Sequence, residues 1–241
     1  LSLSDHVRER ARAGGEPIAL FLGRLGFSPD GLTLVGFGIT SLGAALLAMQ
    51  QWVAGGLVVF AGGAFDMFDG MLARATGRVS ALGAFMDSVF DRWGEALVYV
   101  GLVAGLSAGA WEHGPLIAAV AMASAFLVSY ARARSEGLGL PAGPGMAAVG
   151  LMPREVRLVI LCGGLVVGGL LGTDVAGAAE GAVGAGAPGR VVILGALGII
   201  ALGATVTVIQ RILRARGPAC SPAGADPAAH DSNGEPTSRV G

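Results

Sequence analysis

Long apolar stretches alternate with short polar ones along most of the chain. They run at Leu32–Met49, Trp52–Phe65, Val79–Leu106, Pro115–Tyr130, Val156–Gly172 and Val191–Ile209. A helix needs about 20 residues to cross the hydrocarbon core of a bilayer, so the shorter runs must take flanking polar residues into their ends. Before the first run, residues 4–24 begin with charges and continue as "PIALFLGRLGF", the pattern of an amphipathic helix lying on a membrane surface. "SPDGLT", from Ser28 to Thr33, supplies the start signal for the first span. The expected fold is an all-α integral membrane protein: six transmembrane helices within residues 30–214, preceded by an N-terminal amphipathic juxtamembrane helix. Residues 1–216 make one membrane domain, with a loose Gly- and Ala-rich outer loop at Gly172–Gly189. Residues 217–241, rich in Pro, Ala, Ser, Gly and Asp, read as a disordered tail.

Composition agrees with that pattern. The chain is 53% hydrophobic and 14% charged, and carries 42 glycines, the small residues that let membrane helices approach closely. Its net charge of −1 points to no class of partner, and no nucleic-acid partner is expected. Cys162 and Cys220 show neither metal-ligand spacing nor a disulfide framework. The distribution of charge is more informative. All 16 basic residues are arginines. Arg8, Arg10, Arg12 and Arg24 precede span one, and Arg74 and Arg78 lie between spans two and three. Arg132, Arg134, Arg154 and Arg157 flank the connection between spans four and five, and Arg211, Arg214 and Arg216 follow span six. The opposite connections hold only Arg190. This positive-inside pattern places both termini and the loops after spans two and four in the cytoplasm, in a cell (inner) membrane crossed several times.

One stretch conflicts with a purely apolar interior. "FDMFDGMLARATGRVSALGAFMDSVFDR" holds Asp66, Asp69, Asp87 and Asp91. Spacings of three and four put each pair on one helix face. A short loop around Gly77 makes the two helices antiparallel neighbours, so the pairs face each other. Four carboxylates in one half-dry site remain ionised together only if cations neutralise them. Oxygen ligands of this kind suit Mg²⁺ or Mn²⁺, and four of them can hold two ions that clamp a phosphoryl group. A structural role for isolated aspartates is outweighed by two pairs in register. A cation-coupled transporter of a phosphorylated solute is the alternative from another functional class.

The pattern Asp66-x₂-Asp69-Gly70-x₂-Ala73-Arg74-x₈-Gly83-x₃-Asp87-x₃-Asp91 resembles, without a gap, the signature of the CDP-alcohol phosphotransferase family. The six-span plan with a surface helix is similar too. The resemblance implies a transferase that joins a CDP-linked lipid, CDP-diacylglycerol, to an alcohol and releases CMP. It implies that Asp66, Asp69 and Asp87 hold metal, while Asp91 completes the second metal site and acts as general base. Gly70 and Ala73 would make room for the cytidine, and Arg74 would meet the diphosphate. Asp30, in the turn before span one, would contact the nucleotide, or else cap the helix. Thr33 and Arg78 complete the expected CDP-lipid site. The resemblance also implies a homodimer in contact with membrane lipid.

The acceptor must be read elsewhere. Arg132, Arg154, Arg157 and Arg211 converge at the ends of spans four, five and six, beside an already acidic site. Guanidinium groups pair well with phosphate, so a phosphorylated acceptor is expected, whereas part of the cluster follows from the positive-inside rule alone. "SYARARSE", from Ser129 to Glu136, and Arg154-x₂-Arg157-Leu158 resemble the branch of the family that uses inositol phosphate. That implies an acceptor site at Ser129, Arg132, Arg154, Arg157 and Arg211. The residues around Arg154 and Arg157 depart from the branch's usual run, which leaves glycerol 3-phosphate as the alternative acceptor.

Overall fold

The structure is a computed structural model that describes residue 15 and residues 17–138, 150–173 and 187–215. The expectations for residues 4–14, for most of the outer loop and for the C-terminal tail fall outside these. Among the described residues the chain is all-helical. A helical stretch, α1, occupies residues 17–24. Six long helices follow: α2 (Pro29–Ala48), α3 (Trp52–Ala75), α4 (Ala81–Ala108), α5 (Gly114–Gly137), α6 (Arg154–Leu171) and α7 (Pro188–Ala215).

The helices outrun the apolar stretches that announced them. α3 continues ten residues past Phe65 and carries Asp66 and Asp69 within its body. Helical backbone geometry propagates through a carboxylate, because the ladder of backbone hydrogen bonds does not depend on side-chain polarity. α2 starts at Ser28, whose side chain accepts from the Gly31 amide at 3.0 Å, with Pro29 in the first turn. Capping therefore belongs to Ser28, and the Asp30 carboxylate is left to face the first turn of α4 near Gly83. α3 ends in a Schellman turn: Arg78 N–H donates to the Ala73 carbonyl, Gly77 N–H to the Arg74 carbonyl, and Gly77 takes φ +66°. This turn reverses the chain, but α3 and α4 are not the packing neighbours that the short loop suggested: α2 lies against both and separates them along most of their length.

Packing closes the six long helices into a ring. α2 lies against α3 and α4, α4 against α5, α5 against α7, α7 against α6, and α6 returns to α3. The core inside it draws Leu47 from α2, Tyr99, Leu102 and Leu106 from α4, Leu165 from α6, and Leu197 and Ile200 from α7. α1 packs separately, burying Ala19 against Leu32, Met71 and Leu72. Large apolar side chains also cover the outside, with Leu170 and Leu202 each 72% exposed. Outward leucines at that exposure belong in lipid rather than water. α2, α3, α5 and α7 are long and apolar enough to cross a membrane. α4 carries Asp87, Asp91, Arg92 and Glu95 from its second turn to its middle, and α6 carries Arg154, Glu155 and Arg157 in its first turn.

Close approach between α2 and α4 depends on glycine. A Cβ on Gly101 would overlap the backbone carbonyl of Ala44, and one on Gly105 would overlap that of Leu47. Backbone cannot step aside as a flexible side chain can. Gly101→Val is therefore expected to destabilise the bundle by about 1–3 kcal/mol, the usual cost of overpacking. Thermal unfolding in detergent, followed by size exclusion, checks this; an unchanged midpoint would show that the two helices can separate freely.

Candidate active site

Up-and-down connectivity brings the N-terminal ends of α2, α4 and α6 to the same end of the ring as the C-terminal ends of α3, α5 and α7. Every residue expected to do chemistry sits there. Three positive and three negative helix-dipole ends gather there, so the dipoles by themselves favour neither sign of ligand.

Asp66 and Asp69 on α3 meet Asp87 on α4, with one carboxylate oxygen from each lying within 4.8 Å of the others. At an effective dielectric constant of 20, two such charges repel by roughly 3–4 kcal/mol. Three acceptor-only oxygen ligands this close, each backed by helix, fit a hard divalent cation. Asp69 is fixed in place: Thr33 Oγ1 donates to its Oδ2 at 2.6 Å, and the Gly70 amide donates to its Oδ1. Thr33 thus ties the second turn of α2 to the carboxylate cluster. A hydrogen bond to a charged group of this kind contributes about 1.5–3 kcal/mol.

Asp91 stands outside the three-carboxylate group. Its Oδ1 is 2.6 Å from Arg154 NH1, close but poorly directed, and that same nitrogen donates to Asp66 Oδ2 at 2.9 Å. Arg154 of α6 therefore bridges α3 and α4. The structure brings together the three expected metal ligands and gives the fourth a guanidinium partner.

Two cavities open on either side of the carboxylates. One, of about 270 Å³, is lined by Asp30, Thr33, Asp69, Gly70, Ala73, Arg74, Arg78 and Asp87. It gathers the residues expected on the CDP-lipid side except Asp66, which does not line it. A Cβ on Gly70 would come within 3.2 Å of Arg74 NH1, so the guanidinium lies over the bare glycine. Among the described residues no carboxylate pairs with Arg74 or Arg78, which leaves both for an anionic ligand.

The other cavity, of about 750 Å³, is lined by Asp87 and Asp91, by Ser129 and five arginines (Arg92, Arg132, Arg154, Arg157 and Arg211), by Glu136 and Glu155, and by apolar residues between them. The arginines are not equivalent. Arg132 Nε reaches Glu136 at 2.8 Å on an exposed turn of α5. Arg211 is buried and donates through NH1 to the Val128 carbonyl. Arg157 is 2% exposed; Nε and NH2 donate to Glu95 Oε1 at 3.0 and 2.7 Å, and NH1 donates to the Met152 carbonyl at 3.0 Å. Ser129 Oγ accepts from Arg92 NH1 at 2.6 Å.

Arg92 and Glu95 were not picked out from the sequence. A signal was present: Asp87, Asp91 and Glu95 follow each other at intervals of four, one carboxylate stripe along α4. The signature ends at Asp91, and the stripe continues one turn further.

Comparison with known proteins bears directly on this arrangement. The sequence profile of the family described as CDP-alcohol phosphatidyltransferase matches residues 27–173, which include the whole carboxylate cluster and both arginines of α6's first turn. The chain belongs to the CDP-alcohol phosphatidyltransferase family. It is a phosphotransferase enzyme of membranes, of a family that uses divalent metal, and Asp66, Asp69 and Asp87 form a cluster that could hold such an ion. It is 37% identical over 205 residues to a phosphatidylinositol phosphate synthase of Streptomyces avermitilis, covering 83% of this chain and 77% of the relative. It is 34% identical over 155 residues to an archaetidylinositol phosphate synthase of Pyrococcus horikoshii, covering 64% of this chain and 78% of the relative. Among solved structures, the Mycobacterium tuberculosis phosphatidylinositol phosphate synthase with CDP-DAG bound superposes with a TM-score of 0.69 at 27% identity, covering 83% of this chain and 92% of that one. The same enzyme in complex with manganese and citrate gives 0.68.

Proposed function

We propose that this enzyme transfers the phosphatidyl group from CDP-diacylglycerol to inositol phosphate, giving phosphatidylinositol phosphate and CMP. The observation that carries this reading is the position of the carboxylates between two unlike cavities, with Asp87 on both walls. A phosphoryl group held at the cluster is reached by donor from one side and acceptor from the other. The smaller cavity has a glycine floor and two unpaired arginines, which suits cytidine and diphosphate. The larger is rich in guanidinium, which suits an acceptor carrying its own phosphate. The names of the relatives support inositol phosphate as that acceptor.

Asp66, Asp69 and Asp87 would hold the divalent cation, Mg²⁺ or Mn²⁺, which when bound neutralises diphosphate charge. Arg74 and Arg78 orient the diphosphate. Asp91, on the acceptor wall, takes the proton of the acceptor hydroxyl as that oxygen attacks the lipid-bearing phosphorus. The phosphorus–oxygen bond to CMP breaks and CMP leaves with that oxygen. Positioning of two substrates on a rigid ring accounts for much of the acceleration. The same reading makes all six long helices spans, with α4 and α6 turning their charges toward the ring interior. It sets α1 in the interface of the inner membrane, the active site toward the cytoplasm, Asp91 in a second cation site, and the enzyme as a homodimer.

An acceptor panel tests it. Purified enzyme with CDP-diacylglycerol and Mn²⁺ is expected to release CMP with inositol phosphate and to release little with inositol, serine or glycerol 3-phosphate. Preference for glycerol 3-phosphate would overturn the acceptor assignment. Absence of CMP release with every acceptor would favour a transporter.

A further inference from the structure

Glu95 of α4 is one turn beyond Asp91, and its side chain is only 12% exposed. Its two oxygens hold different cations. Oε1 accepts both bonds from Arg157 of α6, and Oε2 accepts from Arg92 NH1 at 2.9 Å. Arg92 NH1 also donates to Ser129 Oγ of α5 at 2.6 Å. One carboxylate therefore ties together three helices around the larger cavity. A buried ion pair of this kind adds little net stability, but it can fix a donor in one orientation.

The two guanidiniums it holds differ in what remains for a ligand. Arg157 is almost wholly buried and directs all three of its nitrogens to protein acceptors. Arg92 is 29% exposed and lines the cavity. The two protons on its NH1 go to Glu95 and Ser129, while NH2 lies 3.5 Å from Asp91 Oδ2, next to the reacting centre. The planar guanidinium is clamped through NH1 and only loosely ion-paired through NH2, so its Nε–NH2 edge is held in a set direction, the geometry that pairs well with phosphate.

We propose that Arg92 binds the phosphate of the acceptor, and that Glu95 is the positioning residue that aims it, with Arg157 anchoring Glu95 from behind. This rests on the reading of the larger cavity as the acceptor site. It changes the division of labour among the arginines: Arg157 supports the site, and Arg92 meets the ligand.

The test is steady-state kinetics of the full chain in lipid nanodiscs with CDP-diacylglycerol, Mn²⁺ and inositol phosphate. Arg92→Gln is expected to raise the acceptor KM about tenfold and to leave the donor KM within about twofold, the result of losing a charge-assisted contact on one substrate only. Glu95→Gln should give the same one-sided change. The double variant should be no worse than Arg92→Gln alone, because Glu95 acts through Arg92. If Glu95→Gln does not fold, the partly exposed Arg92→Gln decides by itself. An acceptor KM within about twofold of wild type for Arg92→Gln, or a parallel rise in both KM values, overturns the proposal. If wild type prefers another phosphorylated acceptor, the inositol phosphate reading fails, and the split is read on that acceptor. If wild type prefers an unphosphorylated one, both readings fail.

Discussion

Asp66→Asn, Asp69→Asn and Asp87→Asn are each expected to lower turnover by at least about 10³-fold, the scale of removing several kcal/mol of charge stabilisation from a phosphoryl-transfer site. The three carboxylates converge within 4.8 Å and are the described residues able to hold a cation together. Loss of one anionic oxygen weakens the ion and leaves diphosphate charge uncompensated. Asp69 should be the most sensitive. Both of its oxygens already accept, one from Thr33 and one from the Gly70 amide. An asparagine offers a single acceptor oxygen, so it keeps the Gly70 amide only by turning its NH2 toward Thr33, whose hydroxyl must then accept and donate to the Pro29 carbonyl instead. Mn²⁺ affinity, measured by electron paramagnetic resonance on the purified variants, should fall together with turnover. A variant that keeps near-native turnover at subsaturating Mn²⁺ would remove that residue from the ligand set.

Asp91→Asn should behave differently. Its carboxylate lies on the acceptor wall, outside the three-carboxylate group, and is held beside Arg154. Loss of a general base lowers kcat by about 10²–10⁴-fold. Binding of CDP-diacylglycerol, which relies on the other three carboxylates and on Arg74 and Arg78, should persist. Equilibrium binding of a labelled donor in the presence of Mn²⁺ separates the cases. Donor binding lost as severely as in Asp69→Asn would make Asp91 chiefly a metal ligand.

The contrast between these two predictions comes from the fold, since spacing treats the four aspartates alike. In sequence Asp66 and Asp69 form one pair and Asp87 and Asp91 another. In space the grouping is three and one: Asp87 joins Asp66 and Asp69, and Arg154 enters from α6 between Asp66 and Asp91. A residue 63 positions from Asp91 in the chain leaves no trace in local periodicity. The same holds for Thr33, whose hydroxyl was legible as helix-start chemistry and whose bond to Asp69 depends on α2 packing against α3.

The acceptor arginines show the limit from the other side. Clustering of arginine at one end of the spans was legible, because the energetic cost of charge in hydrocarbon segregates them along the chain. Which of them faces a ligand was not. Arg157 and Arg92 differ by where Glu95 sits between them.

By itself the sequence determined the helices, their number and order, the end of the bundle at which charge collects, and the carboxylate signature. Each of these follows from interactions local to one segment: apolar run length, the helix-start signal of Ser28–Thr33, the glycine turn at Gly77, and three- and four-residue spacing. Tertiary structure alone decided the closed order of the ring, the two cavities on either side of Asp87, and the partner of every buried charge. Those depend on contacts between helices distant in the chain, where backbone approach at residues such as Gly101 sets which side chains can meet.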